Sequence, residues 1–126
     1  MQIPDLSLIP ELHAVPAGEY RLEIVRAYMK ENADKTRLAL ALGIKIIGEP
    51  NALPVNHNLW FASSLDATEK GENMNRRAKA FIDGIGVDSN NSPIPEDFVG
   101  ITFVAILKAS LDFFDQTDCN EIVRIV

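Results

Sequence analysis

Residues 37–47 read RLALALGIKII, and this run decides the fold class. Its large apolar residues fall only on even positions, whereas the odd positions hold small residues and two bases. In a helix, residues two apart are separated by about 200° around the axis and form no stripe. In a strand they share one face, so the period of two predicts a strand despite the helix propensity of Leu and Ala. The bulky face, which is expected to fill the core of a barrel, comprises Leu38, Leu40, Leu42, Ile44 and Ile46, and the small face comprises Ala39, Ala41 and Gly43 between Arg37 and Lys45.

Other stretches of the chain also have strand patterns. In the first of them the apolar face changes between Ile24 and Val25, which predicts a bulge or a sharp coil. Residues 101–108 carry apolar side chains on both faces, which is typical of a strand inside a sheet. The predicted strands are residues 19–30, 37–47, 55–62, 98–114 and 121–126, and a polar turn is predicted at residues 115–120.

One segment, residues 66–86, has the spacing of an amphipathic helix. Gly84 and Gly86 lie where a helix would end. The predicted buried stripe comprises Met74, Ala78, Phe81, Ile82 and Ile85, and the bases Arg76, Arg77 and Lys79 lie off it on a predicted solvated face.

Three strands, a helix and two further strands follow one another in this chain. That order is typical of the OB-fold, a small five-stranded barrel that binds oligonucleotides and oligosaccharides. The sequence therefore predicts an all-β fold with one helix: a five-stranded OB-fold barrel over residues 19–126, with the helix between strands 3 and 4. Residues 1–18 are rich in proline and predict an extended arm. The arm is expected to dock through Leu6, Leu8, Ile9 and Leu12.

The composition favours a single domain in a reducing compartment. With one cysteine among 126 residues, no intrachain disulfide can form. The first residues lack the basic start and apolar core of a signal peptide, and no apolar run approaches about 20 residues. We therefore expect a cytoplasmic protein that does not enter a membrane. The net charge of −6 argues against nucleic acid, but residues 20–47 carry six bases and three acids, a local charge of +3.

Several kinds of chemistry have no support in the sequence. There is no glycine-rich phosphate loop. His13 and His57 are far apart, and the single Cys119 rules out the usual zinc spacing. His57 is interpreted as a core or edge residue. The acidic stretch 112–121 lacks the glycine of an EF-hand loop. We expect no enzyme activity, no cofactor and no metal site.

Short motifs along most of the chain carry a resemblance to a known family. In order, they are IPELHAVPAGEYRLEIVRA (9–27), RLALALGI (37–44), RRAKAFIDGIGV (76–87), FVGITFVAIL (98–107) and NEIVRIV (120–126). With these motifs the chain resembles phage-type single-stranded DNA-binding proteins with an OB-fold. The resemblance implies largely sequence-independent binding of single-stranded DNA in replication or recombination, within a bacterial host cytoplasm. It also implies replication or recombination proteins as partners. Apart from the resemblance, a homo-oligomer stays a candidate partner and RNA an alternative ligand.

Single-stranded nucleic acid is bound by a basic groove together with aromatic side chains on which bases stack. The candidate bases cluster on the first two strands and their turn, with one more on the fourth strand. Tyr28 and Trp60 are the candidate stacking rings, and Phe114 is favoured slightly over Phe113. The full set of candidates is Arg21, Arg26, Tyr28, Lys30, Lys35, Arg37, Lys45, Trp60, Lys108 and Phe114. Arg124 is a further candidate base.

Alternatives stay open at this point. Trp60 and Tyr28 could be packing residues. Gly43 could let a base approach the small face, or could only allow the strand to coil. An assembly module that binds protein rather than nucleic acid is the main alternative function, and a carbohydrate-binding barrel is a weaker one.

Overall fold

The computed structural model describes residues 2–7, 9, 11–31, 37–62, 69–111 and 118–126. Within them, five antiparallel strands form one sheet, and one α-helix lies between the third and fourth strands in chain order. The elements are β1 (Gly18–Glu31), β2 (Arg37–Ile46), β3 (Val55–Ala62), α1 (Glu69–Gly84), β4 (Thr102–Leu111) and β5 (Asp118–Ile125), with short 3-10 turns at Ser89–Asn91 and Pro95–Asp97.

The sheet order is β3-β2-β1-β4-β5, and β1 is its long central strand. Residues 18–23 of β1 pair with β4, and residues 22–31 pair with β2. Between Ile24 and Arg26 the register with β2 shifts, so the bulge predicted there is confirmed. After the shift, Ala27 and Met29 take the side of the sheet that Leu22 and Ile24 occupy before it.

The strand predicted at residues 37–47 is confirmed as β2. Its even-numbered side chains supply much of the core: Leu40, Leu42, Ile44 and Ile46 are all buried. Leu38 contradicts the prediction, because its side chain is exposed. It forms the last pair of the β1–β2 ladder, opposite Glu31, where the layer of inward-facing side chains ends.

The helix packs on β3 through the predicted stripe. Ala78 and Ile82 are buried, and Ile85 is buried just beyond the last helical turn. The chain then turns at Gly86, whose φ of 90° is a left-handed value that suits glycine. Across that turn, the N–H of Val87 donates to the carbonyl of Ile82 at 3.1 Å, which satisfies a helix-end acceptor. Residues 66–68 of the predicted helix lie outside the described residues.

Two strand boundaries were predicted wrongly. β4 begins at residue 102 rather than 98, because Pro95–Asp97 forms a 3-10 turn and Gly100 has a φ of 90°. Phe98 nevertheless fills the core with almost no exposed surface. β5 begins at residue 118 rather than 121, because residues 118–120 pair with the end of β4 instead of forming a turn. Residues 112–114 of the predicted fourth strand are not among the described residues.

The N-terminal arm does not dock as predicted. Leu6, Ile9 and Leu12 are each more than half exposed, and Leu8 falls outside the part of the chain that the structure describes. Apolar composition alone predicted the docking, but no described residue covers these three side chains enough to bury them.

Polar contacts hold the end of the arm instead. His13 forms a short bridge to the β2–β3 loop: its N–H donates to the Asn51 carbonyl at 3.0 Å, and its carbonyl accepts from the N–H of Leu53 at 2.9 Å. The buried side chain of Asn120 accepts from the N–H of Val15 and donates to the Val15 carbonyl, both at 2.9 Å. Asn120 therefore satisfies a buried segment of backbone that no strand pairs.

No described helix has the length and apolarity needed to cross a bilayer.

We predict that Asn120→Ala lowers the free energy of unfolding by about 2 kcal/mol, because it leaves the buried backbone groups of Val15 without partners. Urea unfolding measures this change. Asn58→Ala is the control, since Asn58 is exposed on β3 and its loss should stay within about 0.5 kcal/mol. Equal losses in the two variants would contradict the role assigned to Asn120.

Candidate nucleic-acid interface

The outward side of β1, β2 and β3 brings the aromatic and basic candidates together. Each row across these strands has a large residue on β1, a small residue on β2 and a polar or aromatic residue on β3. Because of the bulge in β1, the side chains of Arg26, Tyr28 and Lys30 lie on this side of the sheet. The rows are Arg26–Gly43–Asn56, Tyr28–Ala41–Asn58 and Lys30–Ala39–Trp60. We call these nine residues the outer face.

The centre of the outer face is a shallow trough. Ala39 and Ala41 point away from the core, yet they are only 0% and 5% exposed, because larger side chains on β1 and β3 flank them. A Cβ atom at Gly43 would lie 3.3 Å from the Cβ of Arg26 and 3.5 Å from its Nε. The missing side chain at Gly43 therefore leaves room for Arg26 to lie across β2.

Two cations lie beside aromatic rings on this face. The guanidinium carbon of Arg26 is 5.7 Å from the ring centroid of Tyr28. The Nζ of Lys30 is 5.9 Å from the ring centroid of Trp60, so it spans the trough above Ala39. Tyr28 and Trp60 are 47% and 36% exposed, so neither ring is packed inside the core. Each pair offers a ring on which a base can stack and a cation that can contact its phosphate.

Three further predicted bases lie around the outer face. Lys45 is exposed one row beyond Arg26, opposite Glu23. Arg37 lies half-buried at the start of β2. Arg21 is exposed, but it pairs with Val104 of β4 and so lies on the half of β1 away from the trough.

Lys108 and Arg124 are not brought to the outer face. Lys108 lies on β4 and forms an ion pair with Glu121 of β5 at 3.2 Å. Arg124 is exposed on β5. Lys35 and Phe114 lie outside the described residues, and their predicted roles stay predictions.

The bases of α1 divide into two groups. Arg76 lies 3.6 Å from Glu72, and Lys79 lies 3.2 Å from Asp83; both are exposed pairs one helical turn apart. All three bases, Arg77 included, are exposed, as predicted for a solvated face. Arg77 lies on a different side of the helix and lines a groove between β3, α1 and β5.

That groove, which we call the β3–α1 groove, has a volume of about 800 Å³. Trp60 belongs both to its wall and to the outer face. This site is not among those predicted from the sequence, although Lys70, Asn73 and Arg77 have the i, i+3, i+7 spacing of one helix face. The residues that line the groove include Asn58, Trp60, Lys70, Asn73, Arg77 and Val123.

His57 forms part of the inner wall of the β3–α1 groove. Its ring stacks on Phe81 with the centroids 4.7 Å apart. Burial lowers the pKa of His57 below its ordinary value of 6.5, so the ring is neutral at pH 7. Its interpretation as a core or edge residue agrees with this packing, and it supplies no positive charge to the groove.

Across the described parts of the chain, no three His, Cys, Asp or Glu side chains come together as a metal-ligand set. The thiol of Cys119 contacts the Ser110 hydroxyl at 3.4 Å, at the β4–β5 ladder.

The sequence matches no known protein-family profile, and no curated protein is similar to it.

The burial of His57 predicts a pH-dependent stability. Below about pH 6.5, His57 is protonated more readily in the unfolded chain than in the folded protein. The contribution of neutral His57 to the free energy of unfolding is therefore fully present above that pH and falls as the pH decreases. The check is the melting temperature of the protein and of His57→Phe between about pH 8 and pH 5. Hydrogen bonds from Ser89 and Lys79 lower the pKa of Asp83, which keeps its titration below this range. The variant should lose less stability on acidification, and parallel curves would contradict the assignment.

Proposed function

We propose that this protein is a single-stranded DNA-binding protein that binds DNA through the outer face with little sequence preference. The observation that carries the proposal is the pairing of two exposed rings with two cations across a trough of small residues. Rings bind any base by stacking, and cations bind any phosphate, so neither contact selects a sequence.

The architecture supports an OB-fold as the scaffold. An OB-fold is a five-stranded, partly open Greek-key barrel. Successive antiparallel pairings make β3 and β5, the two ends of the sheet, run in the same direction. Their Cα atoms approach within 8 Å of each other, so only a narrow gap would separate them in a barrel. The helix lies between β3 and β4 in the chain, which is the OB order.

The biological role is proposed from the sequence resemblance together with the outer face. A protein that covers single strands without selecting sequence would protect them during replication or recombination, in a phage or a mobile element. Recruitment of other replication or recombination proteins stays part of the proposal, with the cytoplasm of a bacterial host as its setting.

Removing the ring at Trp60 should weaken binding of oligo-dT by about 1–3 kcal/mol, roughly 5- to 150-fold, while leaving the fold intact. Fluorescence anisotropy with labelled oligo-dT over a salt series measures this. Lys30→Ala should reduce the slope of log affinity against log salt by about 0.7, because one phosphate contact is lost.

Two variants serve as controls. Trp60→Phe keeps a ring and should retain most of the affinity. Lys108→Ala removes a cation that is paired with Glu121 away from the outer face, so the salt slope should not change. The proposal fails if the protein does not prefer oligo-dT to duplex, or if folded Trp60→Ala binds as tightly as the unchanged protein.

A second candidate function is self-assembly, and exposed apolar surface favours it. Ile3, Leu6, Ile9 and Leu12 of the arm are all exposed. A groove of about 340 Å³ lies between the sheet and the two 3-10 turns. Its wall includes the exposed Met29 and Leu38.

We infer that the arm of a second copy occupies this groove. The arm is anchored at His13 against the loop that follows β2, whereas the groove lies at the other end of that strand, beside Leu38. About 26 Å of strand separates the two ends at roughly 3.3 Å per residue. The ten residues from His13 to Ile3 span at most about 35 Å, so its own arm could bring only its tip to the groove.

Light scattering during size-exclusion chromatography tests the assembly. Deletion of residues 2–9 and the substitution Leu38→Glu should each yield monomers, because one lacks the arm and the other lacks the apolar groove. Mixed together, they should form heterodimers, since each supplies what the other lacks. A protein that stays monomeric at high concentration, or variants that do not combine, would exclude this function.

A further inference from the structure

The β3–α1 groove continues from the outer face at Trp60. β3 is the last strand of the sheet order, and none of the described residues extends the sheet past it with a further ladder. Near its end, the N–H of Ala62 donates to the side chain of Asn75 on α1 at 2.9 Å. The helix thus lies alongside the edge of β3 and forms the second wall of a channel that starts at an exposed ring.

The wall that α1 presents is cationic and polar. Lys70, Asn73 and Arg77 share one face of the helix, and Lys70 and Arg77 are about 10 Å apart along its axis. Asn58 faces them from β3. Amide side chains can accept and donate hydrogen bonds to base edges, and the two cations can contact successive stretches of a backbone.

The ion pairing of these cations differs from that of their neighbours on α1. Arg76 and Lys79 have carboxylate partners within 4.0 Å, whereas neither Lys70 nor Arg77 has one among the described residues. Glu69 also lines the groove, which leaves its charged side chains with a net charge of +1. The cations that α1 does not neutralise therefore face the groove, in a chain with an overall charge of −6.

The apolar part of the groove suits bases. Val123 is exposed on β5, and Met74 is half-buried on α1. Phe81 and the uncharged ring of His57 stack on each other between them. Such a surface can cover the face of a base while the cations remain accessible at the rim.

We propose that the β3–α1 groove binds the continuation of the same single strand, with Lys70 and Arg77 on its phosphates and Asn58 and Asn73 on its bases. This inference rests on the proposed function of the outer face. Trp60 would then be the point at which the strand passes from the sheet to the helix.

The test compares two double variants of α1 that each remove two positive charges. Lys70→Ala with Arg77→Ala removes the groove cations, and Arg76→Gln with Lys79→Ala removes the paired ones. Glutamine at position 76 keeps an N–H donor for the Asn73 amide oxygen, which accepts from Nη1 of Arg76 at 3.1 Å. Each is titrated with oligo-dT of about 4 and about 16 nucleotides, the two ends of the site-size range of one OB-fold.

For the longer oligonucleotide, the groove variant should lose about 1.4 from the salt slope, which corresponds to about 25-fold weaker binding near 0.1 M salt. The shorter oligonucleotide should bind as it does to the unchanged protein, because the outer face alone can hold it. The control variant should match the unchanged protein at both lengths. The single variant Arg77→Lys keeps a cation at position 77 and leaves Lys70 unchanged, so it should bind the longer oligonucleotide with most of the original affinity.

Three results would overturn the inference: equal losses in the two double variants, an equal loss for both lengths, or no loss at all. The first would indicate general charge attraction, and the last would leave the groove to another ligand, such as a peptide at the β3 edge. Failure of the proposed function looks different, because the unchanged protein would then bind neither length. Circular dichroism confirms that each variant is folded.

Discussion

The shift of register between Ile24 and Arg26 is the constraint on which the rest of this structure depends. A strand of 14 residues that keeps one face inward cannot serve two differently oriented halves of a curved sheet. One extra residue at the bulge lets residues 18–23 of β1 pair with β4 while residues 22–31 pair with β2 on both sides of the bulge. The same residue exchanges the faces, so Arg26, Tyr28 and Lys30 emerge on one outward line beside the small side of β2.

The small side of β2 follows from what β1 places next to it. Large side chains at positions 39, 41 and 43 would compete for space with their neighbours, and at Gly43 a Cβ would already crowd Arg26. Alanine at positions 39 and 41 fits this space without filling the trough. The core is filled from the opposite side of the strand, where Leu40, Leu42, Ile44 and Ile46 are buried. The bulky side chains of β2 therefore lie on its core side, and its small side chains lie on the outer face.

Period-two and helical spacing sufficed to predict β2, the face change in β1, and the stripe of α1, because each pattern is local. The start of β4 could not be predicted this way, since the apolar alternation runs on through Gly100 while its backbone turns. The docking predicted for the N-terminal arm was wrong for another reason, because apolar composition does not identify the surface that would cover the arm. The division of the α1 bases also escaped prediction, because ion pairing selects Arg76 and Lys79 by position on the helix.

Charge pairing decides where a polyanion could approach this acidic chain. A net charge of −6 repels DNA over most of a surface. Where a cation is held by a carboxylate, as at Lys108 and Glu121, the field largely cancels. Arg26 and Lys30 instead lie against rings, which attract a cation without neutralising it. Unneutralised cations concentrated beside exposed rings would confine a single strand to one track, and the acidic remainder of the surface would then favour that track over all others.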